Sequence, residues 1–161
     1  MKSFFILSAL LAVASPYVYE KCELARVIRD SGLDGYRGYS LANWMCLVQH
    51  ESSYNTRVVG RNRRDGRTVS SDYGLFQISS IRWCDDGRTE NLKNSKNSKN
   101  VCGKSCDDFI NDNITDDIQC AKRMVTPQGM NAWYSFLKCQ SRHPVWLEEK
   151  MQEQKPCQFS A

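Results

Sequence analysis

Two carboxylates stand apart from the chain's other acidic residues by their surroundings. Glu51 closes an apolar-striped segment formed by Leu41, Trp44, Met45 and Val48, whereas Asp72 lies in the polar run Ser70-Ser71-Asp72-Tyr73. A carboxyl set against apolar groups stays protonated toward neutral pH, and one given hydrogen-bond donors and water stays ionised. An acid and an anion of this kind are the ingredients for cleaving a glycosidic bond, where a leaving oxygen is protonated and a cationic centre supported. With 18 Asp and Glu residues in the chain, composition alone does not single out this pair.

Two further clusters carry charge. Residues 107–117 (Asp-Asp-Phe-Ile-Asn-Asp-Asn-Ile-Thr-Asp-Asp) are dense in the oxygen ligands that calcium takes from carboxylates, amides and backbone carbonyls. Arg57, Arg61, Arg63, Arg64 and Arg67 crowd the segment between the two carboxylates. They read either as a basic lip steering the protein to anionic surfaces or as a solvated hairpin face. His50 and His143 lack metal-ligand spacing, and the chain has no His-Glu-x-x-His motif, phosphate-binding glycine loop or serine nucleophile elbow.

The elements that must position these residues follow from the pattern. Leu24, Val27 and Ile28 recur at helical spacing in 22–31, with Gly32 as a stop. Ser40 is a suitable N-cap for a second helix that ends near Glu51-Ser52-Ser53. Asp65-Gly66 predicts a tight hairpin turn, with strands at Thr68-Val69 and 72–78, and Gly74 marks a place where another backbone or a ligand comes close. The polar stretch 85–100 reads as a solvated loop. Helices are expected over 116–125, broken by Pro127-Gln128-Gly129, over 130–138, and briefly over 144–151. Trp44 and Trp146 are read as packing residues. The layout is α+β, with a helical lobe built from both ends of the chain and a small β lobe, roughly 54–103, inserted between them.

The chain has 161 residues, 41% hydrophobic and 25% charged, which suits one globular domain and excludes a disordered or low-complexity protein. A net charge of +4 favours acidic polymers or surfaces but falls short of a nucleic-acid binder's basic stripe. Lys2, the apolar run from Phe4 to Val13 and the small residues Ala12-Val13-Ala14 form an export signal over 1–14, with cleavage there or up to two residues later. That run is too short to span a bilayer, so a secreted protein of residues 15–161 without stable membrane insertion is expected. Export also accounts for the eight cysteines, whose even number implies a disulfide framework of open connectivity.

Several stretches resemble the c-type lysozymes. They are Ser40-Leu41-Ala42-Asn43-Trp44-Met45-Cys46, Glu51-Ser52-Ser53-Tyr54-Asn55-Thr56, the run Ser71-Asp72-Tyr73-Gly74-Leu75-Phe76-Gln77-Ile78, Trp83 to Thr89, and Gly129-Met130-Asn131-Ala132-Trp133. The cysteine order also fits, and the likeness covers essentially the whole mature chain. It implies a lysozyme-like fold with an active-site cleft between the lobes and the pairs Cys22–Cys157, Cys46–Cys139, Cys84–Cys106 and Cys102–Cys120. It also implies Glu51 as general acid and Asp72 as the carboxylate that stabilises or traps the oxocarbenium-like centre, with no cofactor needed for catalysis. Trp133 would form the aromatic wall that desolvates the acid, and Asn62, Gln77, Ser79, Trp83 and Ala132 would line the sugar-binding cleft. The chain departs from the family where Ser79 replaces an asparagine supporting the ionised Asp, and where Arg82 replaces a sugar-stacking aromatic.

The acidic stretch resembles the calcium loop of α-lactalbumins and calcium-binding lysozymes. Asp116 and Asp117 would give carboxylates, and Asp108 and Asn113 carbonyl oxygens. Asn111 stands where an Asp is usual, which removes one negative charge. Alternatively, Asp116 and Asp117 begin a helix, where acidic residues suit the dipole. Asn113-Ile114-Thr115 is also a glycosylation sequon. The resemblance implies a monomeric secreted muramidase acting on bacterial peptidoglycan, defensive or digestive in role. The rivals are a non-catalytic sugar-binding or α-lactalbumin-like modifier protein, whose branches typically lose one or both carboxylates, and a basic membrane-active antimicrobial protein.

Overall fold

A computed structural model describes residues 17–89, 100–140 and 157 of the chain. The export signal, residues 90–99 of the polar loop, His143, Trp146 and the expected turn over 144–151 lie outside the described residues. Helix α1 spans Lys21–Asp30 and buries Leu24 and Ile28 of the expected stripe together with Ala25, while Val27 is half-buried at its edge. Helix α2 spans Leu41–Ser52. Its start is a reciprocal cap, in which the Ser40 N–H donates to Asn43 Oδ1 at 3.0 Å and the Asn43 N–H to Ser40 Oγ at 3.4 Å. Its end is fixed by Ser53, which turns left-handed (φ 51°) and donates its N–H to the Gln49 carbonyl. Glu51 is thereby held in the last turn.

Strands β1 (Val59–Arg64) and β2 (Arg67–Tyr73) form the hairpin around Asp65-Gly66, both with positive φ (50° and 76°) as a two-residue turn requires. Strand β3 (Ile78–Ser79) completes an antiparallel sheet in the order β1-β2-β3. Asp72 pairs with Gly60 on one side and Ser79 on the other, and a bulge interrupts the register between Asn62 and Arg63. The expected strand over 72–78 is therefore two strands split by a turn. Gly74 takes φ 71°, and its carbonyl accepts the Gln77 N–H at 3.1 Å. An added Cβ on Gly74 would lie 1.8 Å from the Phe109 carbonyl oxygen. The close partner foreseen at Gly74 is thus another backbone.

Helix α3 runs Thr115–Gln128 and keeps Pro127 inside it. The proline was expected to break the helix, but it falls in the last turn, where little helix remains to disrupt. Gly129 (φ 64°) terminates it instead. The single helix expected over 130–138 is also divided. Short 3₁₀ turns at Gly129–Ala132 and Tyr134–Phe136 precede a one-turn α4 at Leu137–Gln140. The break falls at Trp133, which adopts an extended backbone (φ −115°, ψ 118°) and donates its indole Nε1–H to the Phe76 carbonyl at 2.7 Å. A buried hydrogen bond across the lobes here overrides local helical preference.

Four disulfides join Cys22–Cys157, Cys46–Cys139, Cys84–Cys106 and Cys102–Cys120, the pairs implied by the resemblance. The first two close long loops, Cys84–Cys106 ties the segment after the sheet to the 3₁₀ turn Cys106–Phe109, and Cys102–Cys120 ties it to α3. Each restricts the unfolded chain, an effect typically about 2–4 kcal/mol. One continuous core runs from Leu24 and Ile28 through Trp44 to Phe76, Phe109 and Met124.

Candidate active site

Glu51 reaches the site from the end of α2, Asp72 from the end of β2, one residue before its last. The Glu51 carboxyl is half-buried, and the Ser135 hydroxyl donates to its Oε1. Burial pushes Glu51 above the usual carboxylate range, and the negative charge of Asp72 adds to this. The Ser135 donor and the positive charge of Lys138 pull the other way, without cancelling the rise. Asp72 meets a different environment. Its Oδ2 accepts the Asn62 amide at 2.8 Å, and the same Asn62 Nδ2 lies 3.0 Å from Ser70 Oγ, which fixes the amide's orientation. One carboxyl is thus pressed toward its protonated form while the other is held by a donor suited to an anion.

The structure brings some expected residues to this site and turns others elsewhere. Trp133 is 4% exposed, crosses Trp44 edge-to-face at 6.2 Å, and precedes the turn that carries Ser135. Ala132 is half-buried at the end of the preceding turn. The Gln77 amide is committed to the β lobe, donating to the Val58 carbonyl at 3.1 Å and the Gly74 carbonyl at 2.9 Å. Trp83 is 5% exposed and lies under the Arg82 guanidinium, 5.0 Å from its ring centroid, so it presents little open face to a sugar. Ser79 pairs with Asp72 in the sheet, yet its hydroxyl accepts the Ile81 N–H at 3.4 Å, and the supporting donor comes from Asn62. Ser79 lies directly across the sheet from Asp72 with its short hydroxyl turned to Ile81, whereas Asn62, paired with Ser70, reaches diagonally to the Asp72 carboxylate.

Sequence reasoning missed Ser135 and misplaced Arg57. Ser135 carries no motif, and its only sequence signal is its place two residues after Trp133. Arg57 is not part of a basic lip. Its guanidinium grips Asp112 with Nη2 at 2.7 Å and Nε at 3.1 Å, which holds the Asp112 carboxyl below its ordinary range. Arg61, Arg63, Arg64 and Arg67 remain exposed along the hairpin, and none forms an ion pair among the described residues.

The acidic loop meets the expected calcium ligand set only in part. Asp117 is 1% exposed and neither carboxylate oxygen meets a donor at full hydrogen-bond geometry; burial pushes it up to about 8, against a smaller downward pull from the backbone N–H groups of Asp117 and Leu75. Such an orphaned carboxyl is what a cation would satisfy. The other donors are already engaged. Lys104 Nζ lies 3.1 Å from Asp116 Oδ2, and the Asn111 amide donates to the Asp108 carbonyl at 2.6 Å. Asn113 Oδ1 accepts the Thr115 N–H at 3.1 Å, two residues on, just ahead of α3. In this conformation the chain's own donors bond to Asp116, Asp108 and Asn113, and the Asp117 carboxyl is left without one. Among the described residues, the one cluster of three metal-ligating types is Cys46, His50 and Cys139, whose sulfurs are bonded to each other.

A helical lobe and a three-stranded lobe, stapled by four disulfides and each contributing one carboxyl, define the architecture of a small α+β glycosidase. The chain belongs to the C-type lysozyme/alpha-lactalbumin family, whose sequence profile matches residues 17–150. It is 49% identical over 146 residues to lysozyme C-1 of Mus musculus, covering 88% of this chain and 93% of that protein. It is 51% identical over 135 residues to lysozyme C II of Oncorhynchus mykiss, covering 83% and 87%. Against the intestinal isozyme of lysozyme C from Bos taurus it is 47% identical over 145 residues, covering 88% and 92%. With about half its residues shared with lysozymes over most of its length, the protein is a glycoside hydrolase of the lysozyme type.

Proposed function

We propose that the protein is a secreted muramidase that hydrolyses the β-1,4 bond between N-acetylmuramic acid and N-acetylglucosamine in bacterial peptidoglycan. The observation that carries this reading is the asymmetry of the two carboxyls, Glu51 raised by burial and Asp72 held by the Asn62 amide. Glu51, protonated, gives its proton to the leaving glycosidic oxygen. Asp72, ionised, faces the developing oxocarbenium centre and stabilises or traps it. Glu51, now a carboxylate, then takes a proton from the water that completes hydrolysis with retention, the chemistry for which lysozymes are the type case.

Export rests on the apolar run Phe4 to Val13 and the small residues after it, and four disulfides suit an oxidising compartment. Among the described residues no helix is long and apolar enough to cross a membrane. The test is clearing of bacterial walls by wild type, Glu51→Gln and Asp72→Asn. The wild type is expected to clear walls and Glu51→Gln to be inert, with Asp72→Asn severely slowed. An inert wild type, or a Glu51→Gln variant as fast as it, overturns the reading.

A further inference from the structure

The Ser135 hydroxyl donates a hydrogen bond to the Glu51 carboxyl. It is presented from a turn, Tyr134–Phe136, that has little freedom. On one side Trp133 is buried and bonded to the Phe76 carbonyl, and on the other Phe136 packs edge-on against Tyr39 at 6.0 Å. Residue 135 is 84 positions from residue 51, so the contact exists only because the chain returns past the end of α2. We propose that Ser135 is a positioning residue for the general acid: by holding Oε1 it leaves Oε2 to carry the catalytic proton. Its bond to Glu51 then tightens as that proton departs. The inference rests on the hydrolase reading given above.

A hydroxyl bonds more strongly to a carboxylate than to the carbonyl oxygen of a neutral carboxyl. Glu51 gains negative charge as the glycosidic oxygen takes its proton, so the Ser135 bond is stronger in the transition state than before it, which lowers the barrier. The same preference favours the ionised carboxyl at rest and opposes the effect of burial. The charges acting on Glu51 are Asp72 from β2, which raises it, and Lys138 from α4, which lowers it. His50 of α2 lies beside the Cys46–Cys139 sulfurs, within 4.8 Å of them. With those charges unchanged, loss of the hydroxyl makes the Glu51 proton harder to lose. Glu51 is active when protonated, so the alkaline limb of the pH–activity profile moves to higher pH.

The experiment compares wild type, Ser135→Ala and Ser135→Thr on a soluble oligosaccharide of β-1,4-linked N-acetylglucosamine, with kcat and KM measured across pH and the melting temperature taken alongside. For Ser135→Ala the alkaline limb is expected to rise by about half to one pH unit, a fraction of the full value of a bond to a charged group because the site is part-exposed. Its kcat on the acid plateau should fall by roughly 3–10-fold with KM unchanged. Ser135→Thr, which keeps the hydroxyl, should restore both. A purely structural serine would lower the melting temperature or the activity at every pH without moving the limb. An unmoved or lowered alkaline limb, or a change confined to KM, overturns the proposal. A wild type inert on both oligosaccharide and walls would instead defeat the hydrolase reading itself.

Discussion

Replacing Gly74 by alanine should be among the most damaging single-methyl changes in the molecule. Gly74 has φ 71°, and an added Cβ would sit 1.8 Å from the Phe109 carbonyl oxygen, 2.9 Å from its carbon and 3.0 Å from Asp117 Oδ1. The left-handed backbone alone costs an alanine roughly 1–2 kcal/mol. The overlap is with backbone, which cannot rotate away, so the turn and the segment Cys106–Phe109 must separate by more than an ångström; forced overpacking of this kind costs about 1–3 kcal/mol or more. Together these reach about 2–5 kcal/mol, a large part of the stability of an ordinary domain. At about 3 °C per kcal/mol for this size, the melting temperature should fall by roughly 6–15 °C. Gly87→Ala is the control. Gly87 also has positive φ (65°), but nothing lies within 4 Å of an added Cβ, so it bears the backbone cost alone. Thermal melts of both variants, monitored by circular dichroism with disulfides intact, separate the two contributions. If Gly74→Ala and Gly87→Ala melt together, close packing of the β-lobe turn on Phe109 is not what holds the lobes.

Three further outcomes are expected. Asn62→Ala should reduce kcat by roughly 5–10-fold, the worth of about 1 kcal/mol for an exposed charge-assisted bond, whereas Ser79→Ala should leave it within about twofold because its hydroxyl serves the Ile81 N–H; equal losses in steady-state kinetics would contradict the assignment of Asn62. Neutralising Arg61, Arg63, Arg64 and Arg67 to glutamine should weaken association with anionic walls and flatten its salt dependence, while turnover of a neutral oligosaccharide is unchanged. A cosedimentation assay from low to high salt checks this, and identical salt slopes would make the hairpin a merely solvated face. With Lys104 and Asn111 occupying the acidic loop, the wild-type melting temperature should shift by no more than about 2 °C between millimolar calcium and chelator, as for a site no tighter than millimolar. A larger shift would mean that the ion displaces those donors.

The parts of the fold legible in the sequence are those governed by neighbours along the chain. Ser40 and Asn43 cap α2 from three residues apart, and Asp65-Gly66 turns a hairpin whose strands follow at once. Gly74 announced a close approach without saying to what, because its partner Phe109 lies far along the chain. The misreadings share one cause. Trp133 abandons a helical pattern for a bond to a carbonyl 57 residues away, and Arg57 leaves the arginine cluster for a carboxylate 55 residues away. No window of local sequence contains either partner, and both bonds outweigh the propensities they interrupt.

The candidate site divides along the same line, and the division bears on how its two carboxyls come to differ. Asp72 is supported by Asn62, ten residues earlier on the adjoining strand, so its environment is a property of one hairpin and travels with it. Glu51 is dressed by a remote turn, through Ser135, and by Lys138 beyond it, so its environment exists only when the C-terminal part of the helical lobe has closed over α2. The Cys46–Cys139 disulfide joins these same two segments, five residues before Glu51 and one after Lys138. Opening that disulfide should therefore act on the two carboxyls unequally: the turn carrying Ser135 and Lys138 loosens, while the Asn62–Asp72 bond keeps its geometry. In a Cys46→Ala/Cys139→Ala variant that remains folded, the alkaline limb of the pH profile, set by Glu51, should broaden or move, while the kcat penalty of Asn62→Ala stays as it is in the wild-type background. An unmoved alkaline limb, or a changed Asn62→Ala penalty, would show that the lobes do not set the two carboxyls independently.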